Sequence, residues 1–154
     1  MKAEFINPFL SSIMNVLTTM AQMEAKAGKP VVKENQEAKG DVTGLIGMAG
    51  AQAKGTLAIS FTQPVIEEIT RRMLGEEDAT NDEMLADMAG EITNMVTGGA
   101  KRILSEKGYE FSMAIPSIVS GKGHTIRHQS KKPIVMIPFT TDAGDFFIEI
   151  CFEE

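Results

Sequence analysis

The sequence predicts an α+β fold, and three observations predict it. Apolar residues recur at spacings of three and four in three separate stretches, the spacing of one helical face. Between and after those stretches, short β-branched and glycine-bearing runs alternate as half-buried strands do. Caps and breakers stand where one pattern gives way to the other.

The first helix is expected to start at Asn7-Pro8, because Asn accepts from free amides and proline at the first helical position loses no useful donor. Phe9, Ile13, Val16, Met20 and Met23 then share a face, and Gly28 and Pro30 are expected to stop the helix. Strands are expected around residues 43–50 and 56–61, joined by a tight turn as part of a β-meander. A shorter second helix has Thr62 as cap, Pro64 in its first turn, an apolar face of Val65, Ile66, Ile69 and Met73, and Gly75 beyond its end. The third helix begins near Thr80, where Thr80-Asn81-Asp82-Glu83 fits a reciprocal capping box, and runs to about Gly108, roughly 40 Å. Strand-like runs follow at 111–115, 123–128, 133–140 and 145–152. In the last, Phe146, Ile148, Ile150 and Phe152 alternate with Phe147, Glu149, Cys151 and Glu153.

The sequence also echoes itself: Leu57-Ala58-Ile59-Ser60-Phe61-Thr62 returns as Val135-Met136-Ile137-Pro138-Phe139-Thr140. The echo points to an internal pseudo-repeat; two strands sharing an apolar alternation is the alternative.

Composition narrows the function classes. With 154 residues, 43% apolar and 23% charged, the chain has the size and balance of one folded domain, expected to cover residues 1–154. Twenty-one acids against fifteen bases give −6, which opposes a nucleic-acid or anionic-membrane surface. A single cysteine, Cys151, excludes an intramolecular disulfide and a cysteine-based zinc site. No apolar run approaches a bilayer's thickness and the opening residues lack a signal peptide's apolar stretch, so a cytoplasmic location is expected.

The third helix carries the chemistry-bearing pattern. Leu85, Met88, Ile92, Met95, Val96 and Ile103 form its apolar stripe. At about 100° per residue, Asp87, Glu91, Asn94 and Gly98 fall on a second stripe, roughly 130° around, that should face water. Gly90, Gly98 and Gly99 each cost a helix up to about 1 kcal/mol relative to alanine. A flat surface that lets another backbone or a phosphate come close would offset that cost. Glu and Asn three apart on an exposed helix are otherwise common, and Glu4 and Asn7 repeat the spacing.

Other motifs are weaker. His124 and His128, if extended, stand roughly 13 Å apart, too far to share a metal. The glycines from Gly44 to Gly55 read as turn and edge-strand chemistry, not a phosphate-binding loop. Lys122, Arg127, Lys131 and Lys132 read as protection of a sheet edge, and Cys151 as a packing residue. The eleven methionines read as core packing, since Met20, Met23, Met73, Met88 and Met95 lie on predicted core stripes.

Taken together, Asp87-Met88-Ala89-Gly90-Glu91-Ile92-Thr93-Asn94-Met95-Val96-Thr97-Gly98-Gly99-Ala100-Lys101 resembles the signature of the CheC/CheX family of chemotaxis phosphatases, including its Asp/Ser-xxx-Glu-xx-Asn core. The Asn7-Pro8-Phe9 opening and the order of elements are similar to the CheX branch, so the resemblance spans nearly the whole chain. It implies a mostly antiparallel sheet packed with two long helices and one shorter helix. CheC-like relatives can carry the motif on two repeat-related helices. Aligning Gly28 with Gly108 puts Ser11 at the place of Glu91 and Met14 at that of Asn94, so one active helix is expected here. The family's proline beyond the asparagine finds Pro116 near its place.

The resemblance further implies hydrolysis of the aspartyl phosphate of a CheY-type response regulator. Phosphoryl transfer mainly needs an in-line water and charge cancellation, so an uncharged amide such as Asn94 can orient the nucleophile. A carboxylate beside a phosphate needs a cation, and by the resemblance Glu91 pairs with the regulator's active-site lysine. Asp87 is then a recognition or orienting residue and not a catalyst, with Gly90, Gly98 and Gly99 as partner-binding positions. The chain needs no cofactor of its own, because magnesium sits on the regulator. Candidate edge strands and the glycine-rich 43–55 region, with the family's habit, make a homodimer the expected assembly. The competing reading is a non-catalytic dimeric module that binds the regulator without hydrolysing it.

Overall fold

A computed structural model describes residues 3–75, 81–128 and 132–153. Its first helix, α1 (Ala3–Ala21), runs through Pro8 instead of starting there. The cause is aromatic packing upstream of the proline: Phe5 stacks on Phe152 with centroids 5.2 Å apart and meets Tyr109 edge-on at 4.9 Å. That burial holds the turn before Pro8 helical and offsets the one intrahelical bond, to the Glu4 carbonyl, that proline cannot make.

The helix also ends early. Gln22 takes a left-handed conformation with φ 50°, and the Met23 amide folds back to the Leu17 carbonyl at 3.0 Å, a capping bond made without glycine. Met23 is buried outside the helix, whereas Met20, expected on the core face, is 47% exposed. Gly28 and Pro30 therefore terminate nothing helical. They follow β1 (Lys26–Ala27) and precede β2 (Val31–Lys33), both short edge strands.

The expected hairpin is present as β3 (Val42–Ala49) and β4 (Lys54–Phe61). Helix α2 (Gln63–Leu74) has Thr62 at its N-cap and a left-handed Gly75 beyond its end. The Thr62 hydroxyl bonds the Asp145 carbonyl at 2.6 Å instead of a helix amide, so this cap ties α2 to the sheet. Helix α3 (Asp82–Glu106) leads to β5 (Ser112–Met113), β6 (Ser117–Ser120), β7 (Ile134–Thr141) and β8 (Gly144–Glu153).

All paired strands are antiparallel, in the order β1-β7-β8-β4-β3-β5, with β2 also on β7 and β6 also on β3. The order is symmetric about the central β4–β8 pair. It sets β3–β4 opposite β7–β8, and α1 opposite α3. The hexapeptide echo matches β4 with β7, which are not related by this symmetry; the pseudo-repeat is architectural and the echo reflects shared strand alternation. Nor is the glycine-rich 43–55 region an edge, because β3 lies between β4 and the β5 and β6 segments.

One face of the sheet carries Ile46, Leu57, Ile59, Ile148 and Ile150 into a core shared with all three helices. The other face carries Thr43, Thr56, Ala58, Ser60, Glu149 and Cys151, and two loops cross it. Residues 34–40 and 121–128 meet there at a bridge between Glu37 and Thr125, joined by Ala38 N–H to His124 O at 2.8 Å and Ile126 N–H to Gln36 O at 2.7 Å. The expected strand at 123–128 is thus a covering loop: its backbone pairs with another loop instead of extending the sheet.

Candidate functional site

Helix α3 is capped by Asn81, whose side-chain oxygen accepts the Met84 amide at 2.8 Å. Thr80, the cap expected from sequence, lies outside the described residues. Its buried face holds Leu85, Met88, Ile92 and Val96, as the apolar stripe predicted, together with Ala89, Thr93, Thr97, Ala100 and Leu104. Met95 and Ile103 are only half-buried.

Three buried hydroxyls are satisfied by the main chain of this helix, two from within it and one from α1. Thr93 and Thr97 donate to the carbonyls of Ala89 and Thr93 one turn back, at 2.7 and 2.8 Å. Ser12 on α1 donates to the Val96 carbonyl at 2.7 Å. Glycines face two of these hydroxyls. A β-carbon on Gly44 of β3 would stand 2.9 Å from Thr93 Cβ and 3.1 Å from the Ala89 carbonyl, and one on Gly99 would collide with the Ser12 hydroxyl. Backbones therefore approach where side chains would hold them apart, which fixes the depth and rotation of α3 on the sheet. Gly44 serves helix packing, not an edge or turn.

On the opposite side of α3, Asp87, Glu91 and Asn94 are all exposed, as the helical arithmetic predicted. None makes a hydrogen bond or ion pair with a described residue. Two carboxylates and a carboxamide thus stand along one outward stripe, with donors and acceptors free for a partner. Gly98 completes the stripe, and a β-carbon there would meet nothing within 4 Å. Gly90 and Gly99 differ: the first abuts Ile118 of β6, 2.9 Å from where a β-carbon would stand, and the second abuts Ser12. At those two positions a β-carbon would meet side chains of this protein, the Ile118 terminal methyl and the Ser12 hydroxyl, and not open space.

The symmetry-related α1 presents Asn7, Ser11 and Met14 to solvent where α3 presents Asp87, Glu91 and Asn94. At these symmetry-related positions the carboxylate and carboxamide pair stands on α3 and not on α1; Glu4 and Asn7 repeat its spacing near the start of α1, where Glu4 is bonded to the Tyr109 hydroxyl. Pro116 is half-buried between β5 and β6.

The remaining sequence candidates lie on the far side of the sheet. His124 Nε2 bonds the Thr43 hydroxyl at 2.6 Å. His128 bonds the Thr56 hydroxyl through Nδ1 and Glu149 through Nε2, the latter at 3.1 Å. The two histidines tie the covering loop to the sheet, and among the described residues no group of three His, Cys, Asp or Glu is arranged to hold a metal ion. Cys151 is buried, its thiol donating to the Lys132 carbonyl at 3.4 Å. Lys122, Arg127 and Lys132 are exposed, and Lys131 lies outside the described residues. Sequence reasoning missed the buried ion pair of Lys33 with Glu149, 2.6 Å apart, and the seat formed by Ser12, Thr93 and Gly44. No helix among the described residues is long and apolar enough to cross a membrane.

Comparison with known proteins gives the relatives of this fold. The model of the chemotaxis phosphatase CheX family matches residues 42–140. A CheC-like superfamily protein from Shewanella sp. PV-4 shares 56% identity and a TM-score of 0.92, with both chains covered completely. The CheY-P phosphatase CheX of Thermotoga maritima is 26% identical over 128 residues, 82% of either chain. The CheX of a Borrelia burgdorferi CheX–CheY–BeF3–Mg2+ complex superimposes with a TM-score of 0.79 at 26% identity, over 99% of this chain and 100% of that one. A family model that covers most of the chain, and a fold shared from end to end, place this protein in the chemotaxis phosphatase CheX family.

Proposed function

We propose that this chain hydrolyses the aspartyl phosphate of a CheY-type response regulator, with α3 as the element that enters the regulator's phosphorylation site. The observation that carries this reading is the shared exposure of Asp87, Glu91 and Asn94 on one stripe of a helix whose other side is locked into the core. The CheX–CheY complex of the Borrelia relative supports the choice of partner, and the phosphatase name of the Thermotoga relative the choice of reaction.

In this reading the Asn94 carboxamide holds a water in line with the phosphorus. The water oxygen forms the new P–O bond as the bond to the aspartyl oxygen breaks, leaving a carboxylate on the regulator and releasing inorganic phosphate. The water's protons go to phosphate and solvent. A carboxylate is a good leaving group, so placement and charge cancellation suffice and no strong base is needed. Glu91 pairs with the regulator's active-site lysine, which both steers docking and relieves repulsion between carboxylate and phosphate. Asp87, one turn away, acts in recognition. Magnesium is held by the regulator.

The test is the lifetime of the phosphorylated regulator with and without this protein. A catalytic amount that shortens the lifetime supports the enzyme. Binding with an unchanged lifetime assigns the chain to the non-catalytic alternative. We further propose a homodimer through a sheet edge, supported by exposed Val31 and Val32 on β2 and by Ile115, which is 90% exposed beside β5. Sedimentation that finds only monomer at micromolar concentration refutes the dimer.

A further inference from the structure

Helix α1 is unusual in its chemistry. Between Glu4 and Glu24 the chain carries no charged residue, although 23% of the protein is charged and half of this helix faces solvent. The other helices carry charge on their exposed sides, through Arg72 on α2 and Asp82, Glu83 and Arg102 on α3. An exposed helix face without charge in an acidic chain calls for a physical reason.

Its position supplies one. The Tyr109 hydroxyl, just past the end of α3, bonds Glu4 at the start of α1 at 2.9 Å, and Ser12 reaches Val96 and Gly99 at mid-helix, so the two helices run antiparallel. Both rise about 1.5 Å per residue, so moving along α1 from Ser12 moves equally far back along α3. Ser11 then stands level with Gly98, Asn15 with Asn94 and Thr18 with Glu91, one interhelical spacing of about 8–10 Å away. All three α1 residues are exposed, as is Met14 at 41%. The outward stripe of α3 and the neutral side of α1 form one continuous surface, within the span of a protein–protein contact.

We infer that the exposed face of α1, through Ser11, Met14, Asn15 and Thr18, is the second half of the docking surface for the phosphorylated regulator. The inference rests on the function proposed above. A protein that carries an acyl phosphate with a bound divalent cation surrounds it with carboxylates, so the rim of its site is anionic. This chain has a net charge of −6, and two acidic surfaces repel. Clearing charge from α1 removes that repulsion, leaving Asp87 and Glu91 as the acids at the centre of the contact. Met14 adds an adaptable apolar contact.

The experiment measures steady-state hydrolysis of a phosphorylated CheY-type regulator from the same cell, and binding of its beryllofluoride-activated form, by the wild type and by Asn15→Glu, Thr18→Glu and Asn15→Gln. Each glutamate is expected to raise KM and Kd at least tenfold while kcat stays within twofold and the melting temperature is unchanged. The rise should shrink with added salt, and Asn15→Gln should behave as wild type. Unchanged KM and Kd in both glutamate variants, beside an active wild type, overturns the docking assignment and leaves the phosphatase reading intact. A wild type that binds the regulator without shortening its phosphoryl lifetime overturns the phosphatase reading, and the Kd series still decides the docking face. Dissociation of a dimer by the same variants with unchanged Kd assigns this face to a second copy and overturns the inference.

Discussion

Ser12 on α1 donates a 2.7 Å hydrogen bond to the main-chain carbonyl of Val96, two residues past Asn94 on α3. The same hydroxyl fills the space a β-carbon on Gly99 would need, so bond and glycine form one seat. Ser12→Ala should cost about 1 kcal/mol, the usual net worth of a buried hydrogen bond. Gly99→Ala gains up to about 1 kcal/mol in helix propensity but loses about 1–3 kcal/mol to overpacking, so it destabilises on balance. In the double variant the collision is gone and the nearest remaining contact is Ser12 Cβ at 3.3 Å. The pair should therefore be more stable than the single effects sum to, by about 1 kcal/mol. Urea unfolding midpoints check this, and strict additivity would remove the seat.

Asn94→Ala and Glu91→Ala should separate chemistry from docking. Asn94 is exposed and bonded to nothing among the described residues, so truncating it leaves the fold intact. Loss of a positioned water should lower kcat by about 100-fold or more with Kd for the activated regulator nearly unchanged. Glu91→Ala removes a charge that faces the partner and should weaken both kcat and binding. Single-turnover kinetics beside a titration with the beryllofluoride form reads the split; equal effects on Kd from both variants would contradict the roles.

Why Asp87, Glu91 and Asn94 were legible while the seat behind them was not follows from how each is encoded. The stripe lies on the helical period, opposite six apolar residues, so 100° steps place it without knowledge of the fold. Thr93, Thr97 and Ser12 are polar and fall outside an apolar count. Thr93 packs against Gly44 and Ser12 against Gly99, contacts that are distant in sequence. At the ends of α1, Asn7-Pro8 and Gly28 are strong local signals, and the packing of Phe5 and the turn at Gln22 override them. Glu149 falls with Phe147, Cys151 and Glu153 on the second face of an alternating strand, and its burial depends on the loops at 34–40 and 121–128 that cross that face, which alternation does not encode. The order of the strands was not recoverable from a hexapeptide echo, since alternation recurs in any pair of half-buried strands.

Gly98→Ala should part stability from activity. The position is helical with open space around a β-carbon, so alanine gains up to about 1 kcal/mol and raises the melting temperature by about 2–4 °C. The added methyl stands on the outward stripe between the levels of Asn94 and Arg102, where a partner's backbone must come close. KM for the phosphorylated regulator should rise severalfold with kcat largely kept. Thermal unfolding and steady-state kinetics check the two halves, and an unchanged KM would show that the flat surface at Gly98 is not used in docking.

The buried Lys33–Glu149–His128 cluster offers a control for everything said of α3, because it lies across the sheet from that helix. Lys33 and Glu149 side chains are 3% and 1% exposed and 2.6 Å apart, and the second carboxylate oxygen takes His128 at 3.1 Å. Glu149→Ala leaves the Lys33 ammonium buried without its counter-charge, which typically costs about 3–5 kcal/mol. Lys33→Met with Glu149→Leu removes both charges and should recover much of that loss, although His128 loses an acceptor and keeps the recovery incomplete. Urea unfolding gives both numbers. Turnover per folded molecule should stay near wild type in both variants, since neither side chain touches α3 or its seat. A fall in kcat at full occupancy of the folded state would mean that the covering loops, and not the helix packing alone, set the position of Asn94.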